Sequence, residues 1–123
     1  MPAKVVDASV LAAILFEEVR ADEAGALIRS AELHAPRLLV YELTHIAEKK
    51  CHAYPAQRRA FEAALEAALA MDIQLRDVEH VAVLDLALTT GLTTYDASYL
   101  YLARSLGAPL VTFDVRLYAV ANR

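Results

Sequence analysis

The sequence predicts an α/β fold: one domain over residues 1–123, built as a three-layer α/β/α sandwich around a mostly parallel central sheet. Short β-prone runs alternate with longer helical stretches along the chain, the signature of strands joined by crossover helices. Aspartates stand where strands are expected to hand over to helices, at Asp7, Asp96 and Asp114. A chain of this length, 58% apolar, buries a working core without disulfides or a structural metal.

Ala3–Val6 reads as a short buried strand, and Asp7 sits where an N-cap belongs. Val10, Leu11, Ile14 and Leu15 then recur at helical spacing. Residues 21–31 form a second helix, with Asp22 and Glu23 in the first turn, where the helix dipole favours negative charge. Pro36 is placed as the first residue of a third helix that runs to about Cys51, and Pro55 opens a fourth. The fourth carries the stripe Phe61, Ala64, Leu65, Ala68 and Leu69.

Ile73-Gln74-Leu75-Arg76 alternates as a half-covered strand does, and Asp77 is positioned to cap a fifth helix to about Thr90. Gly91–Asp114 reads as loop, short strand, helix, tight turn and strand. Tyr99, Leu102, Ala103 and Leu106 share one helical face, Gly107 stops that helix, and Leu110–Phe113 is the strand before Asp114. Val115–Ala121 is a short terminal helix.

Composition narrows the function. No uncharged apolar run approaches the ~18 residues of a membrane span, and the start MPAKVVDAS leaves no room for a signal peptide. Cys51 is alone, so no disulfide framework forms within the chain, and a reducing, cytoplasmic setting is expected. A net charge of −4 argues against a binder driven by general attraction to nucleic acid. Setting four acids aside as a cation site leaves 12 acidic residues against 12 basic ones, which keeps nucleic acid open as a partner.

Those four acids carry the functional reading. Ligands of open α/β sheets bind beyond the carboxyl ends of the strands, where Asp7, Asp96 and Asp114 are expected to collect. Each is also a competent N-cap, and the two roles are compatible. Glu42 is different. It lies inside a helix, on the arc between Leu38 and Ile46 that should face the core. An ionised carboxylate there is costly unless paired or bound to a cation; the alternatives are a rim position reaching water, or a pair with Lys49.

Four converging carboxylates require a cation, and an all-oxygen set suits Mg²⁺ or Mn²⁺, as one or two ions. Ser9 and Thr112 stand where they can orient the ligands. Lys49, one heptad beyond Glu42, and Arg116, beside Asp114, are candidate RNA-contacting residues. The four histidines show no i, i+4 zinc pairing. A phosphorelay receiver fails: Asp7 is followed by Ala8-Ser9 rather than a second acid, and the only lysines are Lys4, Lys49 and Lys50.

The segments VVDASVLAAILFEE, YELTHIAEK and GLTTYDASYLYLARSLGAPLVTFD resemble the PIN-domain ribonucleases, most closely the VapC toxins of type II toxin–antitoxin modules. The likeness spans essentially the whole chain. TTYDASYLYLA and APLVTFD are its most specific parts. Matched by motif, the family's acidic metal-binding and catalytic residues fall on Asp7, Glu42, Asp96 and Asp114, with Ser9 and Thr112 supporting them. The resemblance implies Mg²⁺- or Mn²⁺-dependent endonucleolytic cleavage of RNA, commonly tRNA or rRNA, by metal-activated water. It also implies a homodimer held in check by a cognate VapB-type antitoxin. A metal-dependent phosphatase on small phosphoesters and a PIN-fold RNA- or protein-binding module without cleavage are the competing readings.

Overall fold

A computed structural model describes residues 1–123. Four strands form one parallel sheet in the order β3-β2-β1-β4, with β1 at Ala3–Val6, β2 at Glu32–Pro36, β3 at Ile73–Arg76 and β4 at Leu110–Val111. Seven helices connect and cover them: α1 Ala8–Leu15, α2 Ala21–Ile28, α3 Leu38–Ala53, α4 Arg58–Leu69, α5 His80–Thr90, α6 Thr94–Leu106 and α7 Val115–Ala121. Val5 and Val6 point to opposite faces of β1, and both are fully buried, so the sheet is covered on both sides. α6 lies against β1, β2 and β4 and also packs on α5 and α7, while α1, α3 and α4 form a second mutually packed group. The predicted three-layer arrangement holds.

β2 is the element the sequence reading omits. Pro36 is its last residue, paired with Arg76 of β3, and does not open the third helix; α3 starts at Leu38. ELHAP lacks the β-branched residues that mark a strand, yet His34, Ala35 and Pro36 are all buried in it. Pro36 is tolerated because it closes the strand, past the last β1 pairing at His34. α2 ends at Ile28, short of residue 31, which leaves Arg29–Ala31 to turn into this strand.

Other junctions move for similar reasons. Pro55 opens a 3-10 turn, Pro55–Gln57, and α4 proper begins at Arg58. Leu69 and Leu106 are exposed, at 57% and 40%, so the buried stripes of α4 and α6 are shorter than their apolar patterns. Asp77 caps nothing. Glu79 occupies the N-cap of α5, and Asp77 instead takes a hydrogen bond from Arg37 Nε at 2.7 Å. No strand precedes α6: residues 91–93 are loop, Thr93 is the N-cap, and its hydroxyl accepts the Asp96 amide. Gly91 and Gly107 close α5 and α6 with φ of +75° and +61°, where a side chain would be strained.

Candidate active site

Each carboxylate reaches the site from a different piece of local chemistry. Asp7 follows β1 and caps α1. Its Oδ1 accepts the Ser9 amide at 2.9 Å and the Ser9 hydroxyl at 2.5 Å, and its Oδ2 accepts the Thr112 hydroxyl at 2.5 Å. Thr112 in turn accepts the Asp114 amide at 3.0 Å, and Ser9 Oγ accepts the Phe113 amide at 3.1 Å. The two hydroxyls thereby lash the ends of β1 and β4 together around a carboxylate only 6% exposed. Asp114 caps α7, its Oδ1 accepting the Leu117 amide at 2.8 Å.

Asp96 is delivered by the first turn of α6 rather than by a strand end. Glu42 comes from the second turn of α3, half-buried, and makes no ion pair with Lys49; its Oε1 accepts the Tyr99 hydroxyl at 2.5 Å. Tyr99 belongs to the apolar face of α6 and is 1% exposed. A buried phenol needs a partner for its hydroxyl, and the sequence offered no sign that the partner would be Glu42, 57 residues away.

All four acids and Ser9 line one groove of about 630 Å³, walled also by Tyr41, His45, Tyr95 and Tyr99. Burial pushes Asp7 above the ordinary aspartate range, against the opposing bonds from Ser9 and Thr112. Glu42 is raised by burial and then by the charges of Asp7 and Asp96, with the Tyr99 hydroxyl opposing. Asp96 is raised by burial and then by Asp114 and Asp7, with Arg116 opposing. Burial, and then the Glu42 charge, hold the Tyr99 phenol in its neutral, donating form. The charges are close enough to resist one another's ionisation.

Nevertheless, no three of these side chains close to coordination distance on a common point. Their hydrogen bonds explain the spacing, since both oxygens of Asp7 and one of Glu42 are already engaged by hydroxyls. Four carboxylates, no thiolate, and mutual repulsion fit a hard divalent cation, which would draw in the free oxygens of Asp96, Asp114 and Glu42. Neither basic candidate lines the groove, although the charge of Arg116 reaches Asp96. Lys49 is exposed and does not line the groove. Arg116 donates through Nη2 to the Gly91 carbonyl at 2.7 Å, tying the C-terminus of α5 to α7.

A parallel sheet carrying an acidic groove at its carboxyl edge places the chain among α/β proteins with a carboxylate-built site. The chain belongs to the PIN domain family, whose model matches residues 4–123. Ribonuclease VapC3 of Pyrobaculum aerophilum is 37% identical over 120 residues, an alignment that takes in 92% of this chain and 90% of that protein. The crystal structure of PAE2754 from Pyrobaculum aerophilum is similar with a TM-score of 0.78 and 30% identity, covering 96% of this chain and 84% of that one. Mycobacterium tuberculosis VapC20, a sarcin-ricin loop cleaving toxin, matches with a TM-score of 0.73 over 96% of this chain and 95% of its own. At 19% identity that last likeness is one of fold.

Proposed function

We propose that this chain is a Mg²⁺- or Mn²⁺-dependent endoribonuclease, acting on tRNA or rRNA as the toxin of a toxin–antitoxin pair. The observation that carries the reading is the gathering of Asp7, Glu42, Asp96 and Asp114 in one groove of a PIN fold. The 37% identity to a VapC ribonuclease supports the choice of RNA over a phosphomonoester. A homodimer, neutralisation by a cognate VapB-type antitoxin and a cytoplasmic setting belong to the same proposal. No helix is long and apolar enough to cross a membrane.

Asp7, Glu42, Asp96 and Asp114 would hold the cation, as one ion or two. Bound there, it supplies an acidified water and an electrophile for phosphate oxygens. The chain's own contribution is positioning and charge. Ser9 and Thr112 fix the Asp7 carboxylate in one orientation, and Tyr99 does the same for Glu42. Because their hydrogen bonds favour the ionised forms, these hydroxyls offset part of the burial that raises both groups. Asp96 has no hydroxyl donor on its carboxylate and retains an elevated proton affinity, which suits it to accept a proton from attacking water.

The test is cleavage of total tRNA and rRNA by purified protein with Mg²⁺, Mn²⁺ or a chelator, against phosphate release from p-nitrophenyl phosphate. Internal cuts that need the metal, lost in Asp96→Asn, are expected. Cuts insensitive to chelation, full activity in the purified variant, or turnover of the monoester alone overturn the assignment.

A further inference from the structure

The carboxyl ends of the four strands divide by charge. β1 and β4 lead to Asp7 and Asp114; β2 and β3, on the other half of the sheet, lead to Arg37 and end on Arg76. Beside the acidic groove lies a second depression of about 420 Å³, whose wall carries Arg37, Arg76 and His80. The two are contiguous, because Leu38 and Tyr95 line both. The acidic groove holds four carboxylates and no lysine or arginine, whereas its neighbour holds two arginines against one acid, Asp77. In a chain of net charge −4 this local reversal is not a by-product of general basicity.

Arg76 is held in place from beneath. His34 is 3% exposed; its Nδ1 accepts Arg76 Nε at 3.3 Å, and its Nε2 lies 2.6 Å from Glu32 Oε1. These two partners fix the tautomer, with Nδ1 the acceptor and Nε2 the donor. The anchor engages Nε, and no side chain or carbonyl accepts from the two terminal amino groups of Arg76. Arg37 donates its Nε to Asp77, in a pair whose side chains are 63% and 85% exposed. Such a pair is weak in water and leaves the fork of amino groups available to a stronger acceptor.

We propose that this depression is a backbone-phosphate subsite for the RNA substrate. The strand leaves the acidic groove, crosses the ridge at Tyr95 and seats phosphate oxygens on Arg37 and Arg76. Tyr95 is 61% exposed on that ridge and offers its ring for base stacking. Two guanidinium forks match phosphate geometry, and continuity with the groove favours a polyanion already threaded there over a separate acidic protein. The proposal rests on the ribonuclease reading and extends it. It also explains how an acidic protein holds RNA: affinity comes from one flank of the site while the other carries the cation.

The test uses Arg37→Gln, Arg76→Gln and the double variant, with Arg104→Gln at the far end of α6 as control. The only side-chain partner of Arg37 is the exposed Asp77, so its variant decides the matter even if loss of Arg76 disturbs His34. Cleavage kinetics on a single-stranded oligoribonucleotide should show KM raised about tenfold by each substitution, with kcat within about twofold. Binding of the same RNA to the Asp96→Asn protein, followed by anisotropy, should lose about 0.7 from its log-affinity against log-salt slope per phosphate contact removed. Wild-type KM and slope in the double variant overturn the proposal while leaving the ribonuclease standing. Loss of polyglutamate binding with RNA affinity intact reassigns the surface to an acidic protein and also overturns it. If the wild type cuts no RNA, the anisotropy still decides: an affinity that falls in the double variant supports the subsite, and an unchanged one overturns it.

Discussion

Asp7 and Asp96 are the same side chain used in opposite ways. Asp7 accepts three hydrogen bonds from Ser9 and Thr112, so its two acceptor oxygens are part of the fold. In Asp7→Asn an amide replaces one carboxylate oxygen, and either Thr112 or Ser9 loses its acceptor in a buried setting. The cost of a stranded buried donor is ~1–3 kcal/mol. Asp96 is raised by burial and by its acidic neighbours, with no hydroxyl to offset them. Neutralising it removes repulsion and desolvation, set against the ~0.3–1 kcal/mol that a charge in the first helical turn contributes. Metal-free Asp96→Asn should therefore melt at or above the wild type at pH 7.5, and Asp7→Asn below it. Calorimetry in a chelator checks both; a clear drop for Asp96→Asn removes the case for charge crowding.

At the scale of elements, the junctions carry the information. Asp7, Asp114, Gly91 and Gly107 were legible because capping and left-handed turns are local chemistry with few residue types able to perform it. β2 was not legible, since its strand conformation is imposed by pairing on both sides rather than by the propensity of ELHAP. The Tyr99–Glu42 bond and the Arg37–Arg76 depression join residues 57 and 39 positions apart, beyond any periodicity argument. The two glycine stops also differ in a measurable way. A Cβ on Gly107 meets open space, so Gly107→Ala bears only the left-handed strain, ~1–2 kcal/mol. A Cβ on Gly91 would stand 2.8 Å from Arg116 Nη2, the group that binds the Gly91 carbonyl. Gly91→Ala should lose that strain energy and the tether as well, ~1 kcal/mol more. Adding Arg116→Gln should erase the difference. Equal denaturation midpoints for the two single glycine variants would show that Arg116 swings aside at no cost.

For the molecule as a whole, burial and mutual repulsion of the groove carboxylates oppose folding, and the proposed cation would relieve them. The folded-state pKa values of Asp7, Glu42 and Asp96 all lie above their unfolded ones. Between an unfolded value near ~4 and the raised one, the native state holds more protons than the unfolded chain. The contribution of these groups to stability is thus fully present below the unfolded pKa. It is lost as pH rises through the folded pKa, so on their account the metal-free protein should melt lower at pH 7.5 than at pH ~4. A divalent cation held as proposed would reverse the slope, because it would bind the deprotonated carboxylates and compete with protons for them. At a concentration of ~100 times its Kd it adds about 2.7 kcal/mol. Mn²⁺ should therefore raise the melting temperature strongly at pH 7.5 and weakly at pH ~4, and Asp96→Asn should flatten both dependences. Thermal melts across pH, with and without Mn²⁺, read this without any RNA present. A Mn²⁺ effect of equal size at both pH values would mean that the ion binds outside the carboxylate groove.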